Sequence, residues 1–124
     1  MHSLWLVAIG GALGAVARAL LSTAIQTRWP SRWPAGTIVV NVSGCLVLGL
    51  IIGLLAARPH LAPAWRAFAA VGVLGAFTTF STFEAETLAL LQRGDVATAC
   101  GNVVVSLVAG LGAVWVGQVL GSRL

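Results

Sequence analysis

The residues with the clearest chemical potential lie together in one apolar stretch, residues 75–86. This stretch holds four hydroxyl side chains and three phenylalanines. Phe80 and Phe83 are three positions apart, so they would share one face of a helix. Aromatic rings carry a positive edge, which attracts a small anion without binding it tightly. The same spacing also fits a phenylalanine-rich helix interface, and spacing alone does not choose between the two.

The same stretch predicts a break in a helix. Threonine is a weak helix former, and Gly75 adds a further cost. A break at membrane depth frees backbone carbonyls that can coordinate a cation such as Na⁺. It is tolerated only where protein or water satisfies the backbone.

Two further apolar segments carry polar residues at helical spacing. Thr37 and Asn41 are four apart, as are Asn102 and Ser106, and Gly110 continues the second stripe. Polar residues inside a membrane segment are costly and usually face a partner or a water-filled path. We therefore predict a pathway or binding role for Asn41, whereas the role of Asn102 stays open between pathway and structure.

Charged side chains offer a second kind of chemistry. Glu84 and Glu86 follow the phenylalanines and could carry protons or act as vestibule charges near the membrane surface. Arg18 could pair with one of them or attract an anion. The sequence shows no Ser/His/Asp grouping, phosphate-binding loop, dinucleotide fingerprint or metal-ligand spacing, so we predict that the protein is not an enzyme.

The elements that position these residues follow from composition. The chain has 124 residues, of which 59% are hydrophobic and 8% charged. Soluble domains are about 25% charged, so a soluble monomer is excluded, and disorder requires low hydrophobicity. The net charge of +4 comes from seven scattered arginines, a pattern that does not indicate nucleic-acid binding. The sequence predicts an all-α integral membrane protein.

Four segments are long enough to cross a bilayer, which needs about 20 apolar residues per helix. They cover residues 4–25, 35–57, 65–91 and 98–120, and they form one four-helix transmembrane domain over residues 1–124. Short loops make neighbouring helices antiparallel. Three G-x-x-x-G pairs predict close helix packing: Gly10/Gly14, Gly49/Gly53 and Gly117/Gly121. The five tryptophans fall near the segment ends, as interfacial residues do.

The loop arginines are balanced between the two sides of the membrane. One side holds Arg28, Arg32 and Arg93, and the other holds Arg58, Arg66 and Arg123. An orientation set by arginine bias is then undecided. We hypothesise that the chain inserts both ways up and forms an antiparallel homodimer.

Three segments together resemble one family. Residues 10–18, 34–44 and 72–83 resemble the small bacterial fluoride channels of the Fluc or CrcB family, in the same order and spacing. The resemblance covers nearly the whole chain, and the run of residues 78–83, Thr-Thr-Phe-Ser-Thr-Phe, is its most specific part.

The resemblance implies a dual-topology homodimer in the inner cell membrane, in contact with lipid, that passively exports fluoride through two pores. The implied fluoride pathway comprises Asn41, Phe80, Phe83, Ser81 and Thr82, and we add Ser106 from the polar stripe of the fourth segment. From their charges we predict that Arg18 and Glu86 lie in a vestibule. A structural Na⁺ at the dimer centre is implied at the backbone carbonyls of Gly75 and Thr78. The chain departs from the family at Ala76 and Phe77, and in the polar stripe of its fourth segment.

Two other functions are alternatives to a channel: a proton-coupled exporter and a non-transporting membrane subunit. A small multidrug-type exporter would exchange protons through a deep carboxylate, for which Glu84 and Glu86 are the candidates because the other three segments contain no Asp or Glu. A non-transporting membrane subunit would have no use for polar stripes on three segments.

Overall fold

The computed structural model describes residues 3–61 and 63–124, and over these residues all regular structure is helical. Helix α1 covers Leu4–Arg28 and helix α2 covers Ala35–Ala57. The third span, Pro63–Gln92, is divided, and the last helix covers Val96–Gly121. All four spans are long and apolar enough to cross a membrane. The prediction of an all-helical protein with four spans is confirmed.

The third span is broken near its middle, as the sequence predicted. Its first half, α3, is continuous from residue 63 to 77 and is built of Pro63–Trp65, the π-helical Arg66–Leu74 and Gly75–Phe77. At Thr78 the backbone turns to an extended conformation, with ψ of 154°, and Thr79 is also extended. The second half, α4, then covers Phe80–Gln92.

A turn that only glycine adopts easily joins α4 to α5, the helix Val96–Gly121. Gly94 has a φ of +79°, in the left-handed region where a Cβ is strained. Asp95 then caps α5 by accepting a hydrogen bond from the Thr98 N–H at 3.2 Å. The turn therefore ends at the capped first residue of α5.

The glycine pairs lie where helices touch, which confirms the close packing predicted from their spacing. A Cβ on Gly49 would lie 2.2 Å from the Val114 carbonyl oxygen, and one on Gly117 the same distance from that of Leu46. Helices α2 and α5 therefore approach backbone to backbone. Gly14 makes an equally close contact between α1 and α3.

Most apolar side chains point outwards. The described residues include a small set of buried hydrophobic side chains: Val40, Ala67, Leu74, Phe83, Leu90 and Ala99. Large hydrophobic side chains along α1 and α5 are exposed, with Leu111 at 75%. A surface of this kind suits lipid or a second protein chain, not water. The chain is a multi-pass membrane protein.

Candidate functional site

The helix break is held by one side chain from α2. Asn41 donates from Nδ2 to the Thr79 carbonyl at 2.9 Å, and the Thr79 N–H donates to Asn41 Oδ1 at 2.7 Å. Thr79 also caps α4, because its Oγ1 accepts the Thr82 N–H at 3.3 Å. The predicted polar residue of α2 thus satisfies the backbone that the break exposes.

These bonds release two carbonyl groups from the helical pattern. In a continuous helix the Thr79 N–H would bond to the Gly75 carbonyl, and the Thr82 N–H to the Thr78 carbonyl. Both donors are instead used by Asn41 and by the Thr79 side chain. Gly75 and Thr78 are the two residues predicted to hold Na⁺, and their carbonyl oxygens fit that donor type.

A cleft beside the break brings together four of the predicted pathway residues. Asn41, Phe80, Phe83 and Ser106 line it, and its volume is about 250 Å³. The two rings lie 5.8 Å apart between centroids and are tilted by 43°. They differ in environment, because Phe83 is 6% exposed and Phe80 72% exposed. We call this space the phenylalanine cleft.

Two further cavities continue from the cleft. The first, the Arg18 cavity, has a volume of about 210 Å³ and shares Thr79 with the phenylalanine cleft. The second, the mouth cavity, has a volume of about 470 Å³ and shares Ser22 and Thr37 with the Arg18 cavity. Glu86 lines the mouth cavity. The three cavities thus adjoin one another in series through shared lining residues, and both predicted vestibule residues line a cavity of the series.

Glu86 is hydrogen-bonded to Thr37, a residue that lines both the mouth cavity and the Arg18 cavity. Thr37, which is 4% exposed, donates from Oγ1 to Glu86 Oε1 at 2.8 Å. Glu86 Oε2 is buried and has no hydrogen-bond partner within the described part of the chain. Over the same part of the chain, Arg18 makes no ion pair with either glutamate. Arg18 and Glu86 are therefore not joined by an ion pair within the described residues.

Besides Glu86, three polar residues of the 75–86 stretch do not line the phenylalanine cleft: Ser81, Thr82 and Glu84. Thr82 lines the Arg18 cavity, whereas Ser81 lines none of the three cavities described and is exposed. Glu84 is also exposed. Thr82 thus lies in the cavity that adjoins the phenylalanine cleft, and the predicted pathway role of Ser81 stays a prediction.

The sequence leaves the role of Asn102 open between pathway and structure, and the structure shows which residues it binds. It is 1% exposed and donates from Nδ2 to Thr87 Oγ1 at 2.9 Å, while Ser106 Oγ donates to its Oδ1 at 3.3 Å. The four-residue spacing to Ser106 was its only signal. Its partner on α4, Thr87, gave no signal at all.

Charged loop residues lie around the mouth cavity. Arg32 and Arg93 line the mouth cavity, and Arg32 pairs with Asp95 at 3.8 Å. Hydrogen bonds from Thr98, and secondarily the charges of the two arginines, hold the pKa of Asp95 below its usual value. Asp95 therefore stays ionised and offsets part of the positive charge at the mouth.

Comparison with known proteins identifies the family. A family model described as CrcB-like protein, Camphor Resistance (CrcB), matches residues 5–118. Among curated relatives, the protein named fluoride-specific ion channel FluC of Acidobacterium capsulatum is 48% identical, over 100% of this chain and 98% of its own length. The protein of the same name from Solibacter usitatus is also 48% identical, over 95% and 97%. The chain therefore belongs to the CrcB family.

Proposed function

We propose that the protein is a fluoride-selective channel through which fluoride leaves the cell passively, and that it is not an enzyme. One observation carries the proposal: Asn41, Phe80, Phe83 and Ser106 surround a single cleft at the helix break. Relatives of nearly equal length, 48% identical, are named fluoride-specific ion channels.

The chemistry of the phenylalanine cleft suits a small anion in transit. The described residues that line it carry no formal charge, and they offer ring edges, hydroxyl groups and an amide. Ring edges and hydroxyls attract an anion weakly. Conduction requires such weak binding, because an ion must leave each site as readily as it arrives.

The outer cavities bring anions towards the cleft. Arg32 and Arg93 line the mouth cavity and Arg18 lines the next one, so positive groups accompany the proposed route. Positive charge along a cleft with low-dielectric walls raises the local anion concentration. Thr37, Thr79 and Thr82 then supply hydroxyl groups between Arg18 and the break.

The proposal extends to an antiparallel homodimer with dual topology. Phe80 is exposed in the protomer although it lines the cleft, so a second copy would close that side. The balanced loop arginines support insertion in both orientations. When bound, a structural Na⁺ would supply fixed positive charge at the dimer centre, held by the released carbonyls of Gly75 and Thr78.

The exporter alternative receives less support from the same geometry. Glu84 is exposed on α4, and Glu86 is hydrogen-bonded to Thr37 beside the mouth cavity. Neither carboxylate lines the phenylalanine cleft. Membership of a family with relatives named as channels favours conduction over proton exchange.

Fluoride efflux from liposomes tests the proposal. Purified protein is reconstituted with potassium fluoride inside, and a potassium ionophore clamps the voltage. We expect fast fluoride loss and negligible chloride loss in a matched chloride preparation. Folded protein that passes no fluoride, or that passes chloride equally fast, would overturn the proposal.

A further inference from the structure

Helix α4 carries both phenylalanines of the cleft but is detached from α3. The break at Thr78 and Thr79 interrupts the backbone hydrogen bonds, so α4 does not inherit its position from the preceding helix. Side chains of neighbouring helices must hold it instead. Two such links reach α2, through the pairs Asn41–Thr79 and Thr37–Glu86.

The third link reaches α5 and depends on Asn102. Its bond to Thr87 is the one side-chain hydrogen bond between α4 and α5 within residues 3–61 and 63–124. Thr87 donates onward to the Phe83 carbonyl at 2.7 Å, and Ser106 donates to Asn102 at 3.3 Å. A single directed chain of hydrogen bonds therefore runs from Ser106 through Asn102 and Thr87 to the backbone of Phe83.

Both ends of this chain line the phenylalanine cleft. We propose that Asn102 is a positioning residue of the fluoride pathway: it fixes α4 against α5 at the level of Phe83 and orients the hydroxyl of Ser106. The inference rests on the proposed fluoride conduction. It assigns a function to a residue that touches none of the three cavities.

An amide is suited to this task because it both donates and accepts. At 1% exposure Asn102 has no access to water, so each of its polar groups needs a protein partner. The bond from Ser106 to Asn102, at 3.3 Å, is long for an O–H donor, whereas the two bonds of Thr87, at 2.9 and 2.7 Å, are of ordinary length. The Ser106 hydroxyl can therefore turn towards an anion and return, while the link to α4 stays in place.

The test compares Asn102→Leu, Thr87→Val and the double variant with the wild type in fluoride-loaded liposomes, over a range of fluoride concentrations. Each single variant should lower fluoride flux about tenfold, the effect of one lost buried hydrogen bond. Both should move the half-saturating fluoride concentration in the same direction. The double variant should be no worse than the poorer single variant, because the two residues act as one unit.

Two matched variants separate positioning from general damage. Thr87→Ser keeps the hydroxyl and should preserve flux. Ser43→Ala removes a hydroxyl whose one partner among the described residues is the Val40 carbonyl of its own helix, and it should leave flux unchanged. Loss of folded protein alone would lower maximal flux and leave the half-saturating concentration unmoved, which would overturn the inference.

The outcomes distinguish this inference from the proposed function. A wild type without fluoride flux overturns both. A conducting wild type with Asn102→Leu and Thr87→Val equally active, or with additive losses in the double variant, overturns the inference alone. If Asn102→Leu yields no folded dimer, the comparison of Thr87→Val with Thr87→Ser decides.

Discussion

Asn41 and Thr79 are joined by two hydrogen bonds, of 2.9 and 2.7 Å, in which the side-chain amide of one pairs with the backbone amide and carbonyl of the other. The residues are 38 apart in the chain: Asn41 lies on α2, and Thr79 lies in the break between α3 and α4. The side chain of Asn41 thus replaces the helical partners that Thr79 lacks. The break has a defined geometry because α2 supplies these partners.

Removing this pair should affect both folding and conduction. Asn41→Leu loses both bonds, and Asn41→Asp keeps an acceptor but cannot donate to the Thr79 carbonyl and adds negative charge to the cleft. We expect each to lower the free energy of unfolding by about 1–3 kcal/mol and fluoride flux at least about tenfold. Ser43→Ala on the same helix is the control. Wild-type thermal stability and efflux in Asn41→Leu would contradict the assignment.

The two phenylalanines should respond differently to loss of the ring. Phe83→Ile removes a buried ring and should destabilise the protomer by about 1–3 kcal/mol. Phe80→Ile changes an exposed ring and should leave protomer folding unchanged. Both should reduce fluoride efflux, because isoleucine has no ring edge to attract an anion. Efflux and thermal unfolding measured side by side test this, and full efflux in both variants would refute the ring-edge mechanism.

The close approach of α2 and α5 can be tested with two glycines of α5, one at the helix contact and one away from it. A methyl group on Gly117 would lie 2.2 Å from the Leu46 carbonyl oxygen, whereas one on Gly112 would meet nothing within 4 Å. Gly117→Ala should destabilise the protein by about 1–3 kcal/mol through overpacking. Gly112→Ala should be neutral or stabilise it by up to about 1 kcal/mol through helix propensity. Thermal unfolding in detergent measures both, and equal melting temperatures would count against the backbone contact.

Asp95 makes the start of α5 sensitive to acid. Its pKa is lowered in the folded protein by hydrogen bonds from Thr98 and by the charge of Arg32, so its stabilising contribution is present above the usual aspartate pKa of about 4. That contribution is lost as the pH falls through the lower folded value. Wild type should therefore lose stability on acidification. Asp95→Asn keeps a capping side chain and should lose less over the same range, as thermal unfolding against pH would show. Parallel curves would contradict this role.

The fold was predictable where bilayer physics dictates it. Apolar length required four spans, and the threonine-rich run predicted the break at Thr78 and Thr79. The partners of the break were not predictable, because Asn41 reaches it from a distant helix. Helical periodicity restarts at Phe80, so the register of α4 does not continue that of α3. The pathway role that the resemblance implies for Ser81 stays a prediction.

Contacts between helices also show partners that the sequence did not predict. Trp33 is predicted to be an interfacial residue, and the structure adds that its ring packs on Gly101, where a Cβ would lie 2.4 Å from the ring. Nothing in the sequence distinguishes Thr87 from the other threonines, and its role is visible only because Asn102 of α5 binds it in the structure. Spacing within one helix identifies a shared face, but it does not identify what that face contacts.

Shifting the arginine balance tests whether the working channel needs two orientations. Thr27→Arg with Arg123→Gln gives four loop arginines against two, and Arg28→Gln with Ser122→Arg reverses the ratio. These positions line none of the three pathway cavities. Each variant should insert mainly with its arginine-rich side in the cytoplasm, as a C-terminal reporter active on one side of the membrane would show.

Fluoride resistance of cells then reports on assembly. Because an antiparallel dimer needs one copy in each orientation, either variant alone should give little resistance, and co-expression of the two should restore it. The variants are matched in the number of substitutions and differ in the sign of the bias, so restoration cannot come from general stability. Full resistance from one variant, with its reporter on a single side, would show that antiparallel pairing is not required.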